Sequence, residues 1–198
     1  FEQSEQFLTA MYLFDETELN HYIQENKDER MIASLIYIDN YEEALDSIEE
    51  VKRSLLVALV DRKINKYFSG VDALVRKIEK DKYFVVFRHK FLSRLQEDKF
   101  SLLEDVKNVR VGNEMAVTLS IGIGDEGSSY NQNYDYARMA IDLALGRGGD
   151  QVVVKEGEKI SYYGGKSKQV EKMTRVKARV KAHALREMIE SREHVIVM

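Results

Sequence analysis

The ten residues Ser34 to Glu43, S-L-I-Y-I-D-N-Y-E-E, constrain this chain more than any other stretch. The run Leu35 to Ile38 offers water no continuous polar face, so it reads as a central strand buried on both sides. It stops at two side chains with oxygen acceptors, Asp39 and Asn40, and the acidic pair Glu42 and Glu43 follows. Two readings of that stop stay open. Asn40 with Glu43 three residues later has capping-box spacing, with the acids near the positive end of a helix dipole. Alternatively, the exit of a central strand onto a helix N-terminus is where open sheets bind phosphates and metal ions.

The rest of the chain must supply a core around that strand. At 198 residues, 44% of them hydrophobic and 32% charged, it has the material for one good-sized domain and an appendage, or for two small domains. The net charge of -4 argues against a general nucleic-acid binder. With no cysteine there is no disulfide framework, thiolate metal site or thiol nucleophile. No window approaches the roughly twenty apolar residues of a membrane span, and the first residues do not form a signal peptide. The sequence opens without methionine and closes on the β-branched run His194 to Met198. Both ends therefore read as cuts within a longer protein.

Pattern gives the order of elements. Phe7 to Phe14 is an apolar strand candidate; Asp15 and Glu18 have capping-box spacing and open a helix with Leu19, Tyr22 and Ile23 on one side. Ile32 to Ile38 is the first core strand. A single helix is expected over Tyr41 to Phe68, its apolar stripe including Ile48, Val51, Leu55, Leu56, Leu59, Val60, Ile64 and Phe68, with Gly70 as its stop. Ala73 to Ile78 and Tyr83 to Phe87 form a hairpin across the charged tip Glu79 to Lys82. Phe91 to Val106 suggests another helix. Met115 to Gly124 alternates, with Val117, Leu119, Ile121 and Ile123 on one face and Thr118, Ser120, Gly122 and Gly124 on the other, where a helix can approach closely. Tyr134 to Leu145 is helical, Gly146 to Asp150 turns, and Gln151 to Val154 and Ile160 to Tyr163 are strands. Lys166 to Ser191 is a long amphipathic helix. These elements spell an α+β fold, a ferredoxin-like βαββαβ core with an added helix and strand.

Several chemical signals fail on inspection. Gly165-Lys166-Ser167 lacks the earlier glycine of a phosphate-binding loop, since residue 160 is isoleucine. The glycines at 146 to 149 follow a helix and precede a strand, the reverse of a dinucleotide-binding turn. The histidines 21, 89, 183 and 194 have no zinc-ligand spacing. The basic face from Lys168 to Arg186 lacks the interleaved aromatics of a nucleic-acid platform and reads as a solvated connector.

Three segments in order carry a family resemblance: I-Y-I-D-N-Y-E-E at 36 to 43, V-T-L-S-I-G-I-G at 117 to 124, and A-R-M-A-I-D-L-A-L-G-R-G-G-D-Q-V at 137 to 152. The chain resembles the GGDEF domain of diguanylate cyclases. Its likeness is to the degenerate form found in membrane-anchored cyclic-di-AMP phosphodiesterases, which carry PAS, GGDEF and catalytic DHH/DHHA1 domains. The resemblance implies that residues 1–29 are the end of a PAS-like domain and a linker helix. It assigns 30–165 to a degenerate GGDEF domain of nucleotide-cyclase-like fold, and 166–198 to a connector helix and the first strand of a DHH domain.

Departures from the family pattern bear on chemistry. In active cyclases this strand ends D-x-D-x-F-K and the hairpin reads G-G-D-E-F. Aligning the family's aromatic with Tyr41 puts Tyr37 at the metal-binding aspartate and leaves Asp39 at the second, while the hairpin falls on Lys80-Asp81-Lys82-Tyr83-Phe84. A lysine then stands where the other metal-binding carboxylate belongs; two-metal phosphoryl transfer requires both. The resemblance thus implies no catalytic residues, no resident metal and no cofactor in this chain, with Mg or Mn expected only in the DHH domain. It implies a regulatory domain at the cytoplasmic face of the membrane, relaying a PAS signal to the hydrolase within a homodimeric parent. A vestigial nucleotide pocket around Asp39, Asn40 and Lys82 is expected. Residual ATP or GTP hydrolysis in that pocket, or a purely structural dimerisation and spacer role, are the alternatives.

Overall fold

The computed structural model describes residues 14–46 and 48–164. The strand expected before Phe14, the Gly165-Lys166-Ser167 triplet, the helix from Lys166 and the closing β-branched run lie outside the described residues. The described elements are α1 (Thr17–Asp28), β1 (Met31–Ile38), α2 (Tyr41–Asp46), α3 (Glu50–Ser69), β2 (Leu74–Lys77), β3 (Lys82–Arg88), α4 (Leu92–Glu97), α5 (Leu102–Lys107), β4 (Leu119–Asp125), α6 (Tyr130–Gly146), β5 (Gln151–Glu156) and β6 (Lys159–Tyr163). Among them the strands form one sheet ordered β2-β3-β1-β4-β5-β6. The first four are antiparallel neighbours in the ferredoxin-like order; β5 is added parallel to β4, and β6 returns antiparallel.

Strand alternation divides the side chains between two layers. Ile32, Ile36 and Ile38 of β1, Tyr83, Val85 and Phe87 of β3, and Leu119, Ile121 and Ile123 of β4 pack with Leu56, Val60, Ile64 and Phe68 of α3 and with α4 and α5. On the other face Ala33 and Leu35 meet Ala137 and Ile141 of α6. The small face of β4 does admit a helix. A Cβ on Gly122 would lie 2.8 Å from Ile141 Cα, and one on Gly124 would lie 2.8 Å from Tyr136 Cβ and nearer still to the Asn133 carbonyl. Ser129 starts α6 by accepting a hydrogen bond from Gln132 N at 3.2 Å.

Two helices expected to be continuous are broken. In place of one helix over Tyr41 to Phe68 there are α2 and α3, with Ile48 buried between them. The break resets the helical face, so Leu56, Val60, Ile64 and Phe68 meet the sheet at four-residue intervals while Val51 and Leu55 stand exposed. Similarly, α4 and α5 replace one helix because Lys99 and Phe100 adopt φ of 52° and 54°. That turn buries Phe100 against Tyr163, ring centroids 5.1 Å apart. Asp98 secures it by accepting from Ser101 N and Oγ at 3.0 and 2.8 Å. At α1 the expected capping box gives way to a local turn in which Asp15 accepts from Thr17 N at 3.0 Å.

Candidate functional site

The site grows from the end of β1. Past Ile38 the Asp39 backbone N–H still donates to Thr118 O at 3.0 Å, and its carboxylate turns toward β4 and the turn before β5. Oδ1 accepts from Ser120 Oγ at 2.5 Å and Oδ2 from the Asp150 backbone N–H at 2.9 Å. The second contact explains the last glycine of G-R-G-G-D, Gly149. Gly148, Gly149 and Asp150 all have positive φ, and a Cβ on Gly149 would stand 2.8 Å from the Asp39 carboxylate. Asp150 is itself buried and accepts an ion pair from Lys107 Nζ at 2.8 Å. Burial pushes the Asp39 carboxyl above its ordinary range, against the opposing pull of the Ser120 and Asp150 hydrogen bonds.

Asn40 also turns inward. Its Nδ2 donates to Ala116 O at 2.8 Å and its Oδ1 accepts from Thr118 N at 3.0 Å. The expected use of that side chain as a helix cap is therefore corrected: it ties the segment entering β4 to the end of β1. Two open acceptors in the sequence become two structural fastenings in the fold.

Lys82 lies elsewhere. It is the cross-strand partner of Tyr37, with its ammonium 5.3 Å from the Tyr37 ring centroid and 2.7 Å from Glu79 Oε2. Burial raises the pKa of the Tyr37 phenol even though Lys82 pulls it down, and the Glu79 hydrogen bond raises that of Lys82. A neutral phenol faces a firmly protonated ammonium. Among the described residues no hydrogen bond or ion pair joins Lys82 to Asp39 or Asn40.

An open cleft of about 460 Å³ lies between α2 and α3, lined by Tyr41, Leu45, Arg53, Ser54 and Asp61. At its rim Lys80 pairs with Glu42 and sits 5.6 Å from the Tyr41 ring centroid. Asp61 accepts from Lys77 Nζ at 2.9 Å and from the Tyr83 hydroxyl. The cleft offers the Tyr41 ring and the Arg53 guanidinium to a planar ligand, with the Asp61 carboxylate in its wall and the Lys80 ammonium already paired with Glu42. Reading α2 and α3 as one helix concealed this cleft. The signal that could have found it is the excess of apolar positions at 45 to 60, too many for a single helical stripe.

The fold defines a class. The GGDEF domain of DgcB from Caulobacter crescentus, crystallised with c-di-GMP, superposes with a TM-score of 0.54 at 16% identity, over 78% of this chain and 100% of that one. A diguanylate cyclase/phosphodiesterase from Caldicellulosiruptor saccharolyticus gives 0.54 at 16% identity, over 73% and 86%. This is a GGDEF-like domain of α+β, nucleotide-cyclase-like fold. The profile "Cyclic-di-AMP phosphodiesterase GdpP-like, GGDEF domain" matches residues 36–162. Over 95% of its length the chain is 36% identical to the cyclic-di-AMP phosphodiesterase GdpP of Geobacillus thermodenitrificans and 38% identical to the cyclic-di-AMP phosphodiesterase PdeA of Listeria monocytogenes. The chain belongs to the family of GGDEF domains of GdpP-like cyclic-di-AMP phosphodiesterases. It spans 29% of the length of each of these two relatives. No described helix is long and apolar enough to cross a membrane.

Proposed function

We propose that this domain has lost cyclase chemistry and serves as a regulatory relay between a PAS domain and a DHH/DHHA1 hydrolase that cleaves cyclic-di-AMP. One observation carries the reading: Tyr37 and Lys82, the positions that the family pattern gives to metal-binding carboxylates, are register partners in a cation–π contact. A neutral phenol and an ammonium do not fit a divalent cation, which needs anionic oxygen ligands. Asp39 does not compensate, because one carboxylate cannot supply the pair that two-metal phosphoryl transfer requires, and its hydrogen bonds to Ser120 Oγ and the Asp150 N–H turn it toward the β4–β5 side. The domain's work in this reading is mechanical, with residues 1–29 and 166–198 linking it to its neighbours and the parent acting as a homodimer at the membrane's cytoplasmic face.

A cyclic-di-AMP hydrolysis assay tests the relay. This chain alone should yield no linear product. In a full-length parent, destabilising the domain with Gly124→Ala should change the hydrolysis rate severalfold. Cleavage by the chain alone refutes the division of labour, and an unchanged parental rate favours the spacer role.

The α2–α3 cleft supports a second reading, in which a nucleotide is held without turnover. Lys82 and Lys80 bring positive charge to the hairpin, so binding should be weak and independent of divalent ions. Calorimetric titration of ATP and GTP, with and without magnesium, checks this for the wild type, Lys82→Ala and Arg53→Ala. An affinity lowered by roughly tenfold in Lys82→Ala places the phosphate at the hairpin; the same loss confined to Arg53→Ala places it in the cleft. Binding that appears only with magnesium contradicts both.

A further inference from the structure

Two apolar surfaces lack a partner among the described residues. The first is α1, none of whose residues is buried. Leu19, Tyr22 and Ile23 make its apolar stripe and are 56%, 67% and 57% exposed. The second lies on β2 and β3 beside α6, which itself covers β1, β4 and β5: strand register puts Leu74, 69% exposed, and the half-buried Val86 on that side of the sheet, next to Phe84, whose ring already meets Tyr134 of α6 at 5.9 Å. A cleft of about 300 Å³ opens there, lined by Met31, Phe84, Val86, Tyr130 and Tyr134.

The two surfaces cannot meet within one chain while α1 keeps its anchorage. Glu29, directly after the helix, is gripped by Arg88 at 3.0 Å and Lys90 at 2.5 Å; Lys27 pairs with Glu126 at 3.2 Å; and the Arg30 guanidinium donates to Gly127 O. β1 begins at Met31, so laying α1 back over β1 and β3 requires a reversal at the very residues these contacts fix. Their charges are nevertheless complementary. Asp15, Glu16, Glu18 and Glu25 lie on or beside α1. On β2 the exposed Arg76 follows Leu74 on the apolar face, opposite Phe84.

We propose that α1 of one copy docks its Leu19–Tyr22–Ile23 stripe on the β2–β3 face of a second copy, reciprocally, so that a two-fold dimer contains two identical contacts. The occupant follows from complementarity: an acidic apolar helix and an apolar face bearing an arginine, which among the described residues the contacts around Glu29 and Arg30 keep apart within one chain. A two-fold arrangement closes the assembly, whereas a one-way contact would leave a free helix and a free face at its ends. It covers the apolar side of the edge strand β2 as well. The proposal does not depend on the regulatory reading above.

The test is complementation between surface variants of this chain, followed by sedimentation equilibrium. Ile23→Asp removes the helix contact and Leu74→Asp the face contact. Both positions are exposed, and unchanged circular dichroism would establish that the variants fold. Each variant alone should dissociate at least roughly tenfold more readily than wild type, and an equimolar mixture should regain a dimer, because one helix and one face remain intact between unlike partners. Recovery only in the mixture supports the exchange. A monomeric wild type overturns it, as does a Leu74→Asp variant that stays as dimeric as wild type while Ile23→Asp dissociates, which would mean that α1 pairs with α1. Lowered thermal stability of Leu74→Asp at unchanged mass also overturns it, since the chain itself would then be covering the face.

Discussion

Gly124→Ala lowers the stability of the domain by about 3 kcal/mol or more, the upper range for forcing volume into a packed interior. The added Cβ meets backbone: it would stand 2.5 Å from Ala137 N and nearer to the Asn133 carbonyl, both fixed in the first turns of α6. No side chain can rotate out of the way, so the helix must lift from β4 or the sheet must bend. At the usual scaling this appears as a fall in melting temperature of roughly 6 to 12 °C. Gly146→Ala is the internal control, because a Cβ there meets nothing within 4 Å. It should be neutral or gain about 0.5 kcal/mol from helix propensity. Thermal or urea unfolding of the pair checks the contrast, and equal stabilities for the two variants would show that α6 does not sit this close to β4.

Asp39→Ala costs about 2 kcal/mol, because it leaves the Ser120 hydroxyl and the Asp150 N–H without their acceptor. The loss is partly offset by removing a carboxylate whose burial is unfavourable. Burial raises the Asp39 pKa in the fold, so the folded protein holds that proton more tightly than the unfolded chain. Its contribution therefore falls as pH rises from the ordinary carboxylate value through the folded value, and is level above both. Asp39→Asn keeps the shape, removes the titration and sets an amide N–H against one of the two donors. It should cost roughly 1 kcal/mol near neutral pH and more at acid pH, where the wild type regains the stability that ionising a carboxyl of raised pKa takes away and the amide gains nothing. Melting temperatures of wild type and Asp39→Asn across the acid range measure the difference. A gap between them that does not vary with pH would contradict the assigned titration.

Much of this fold was legible because its signals are local. The alternation of β4 identified the glycine face that receives α6, and the G-R-G-G-D turn announced its positive-φ residues. The order of strands gave the ferredoxin-like core with an added helix and strand. What escaped reading depends on distant partners. The surplus of apolar positions at 45 to 60 is too large for one helical stripe, but nothing local fixes where the helix breaks so that Ile48 can enter the core, and Phe100 adopts a left-handed conformation to reach Tyr163, which lies far along the chain. Asn40 has the local spacing of a cap, yet Ala116 and Thr118 take its side chain. The expected site was read with the same limits: Asp39 and Lys82 are both near the end of β1, but one is fastened to the β4–β5 side and the other lies over Tyr37.

The central claim is that Tyr37 and Lys82 leave this domain without cyclase chemistry, and it is tested most directly by incubating the purified chain with GTP and either magnesium or manganese. The account predicts no cyclic dinucleotide under either condition, whatever nucleotide the α2–α3 cleft holds. Protein-dependent formation of a cyclic dinucleotide over multiple turnovers, lost on unfolding the domain, would contradict it.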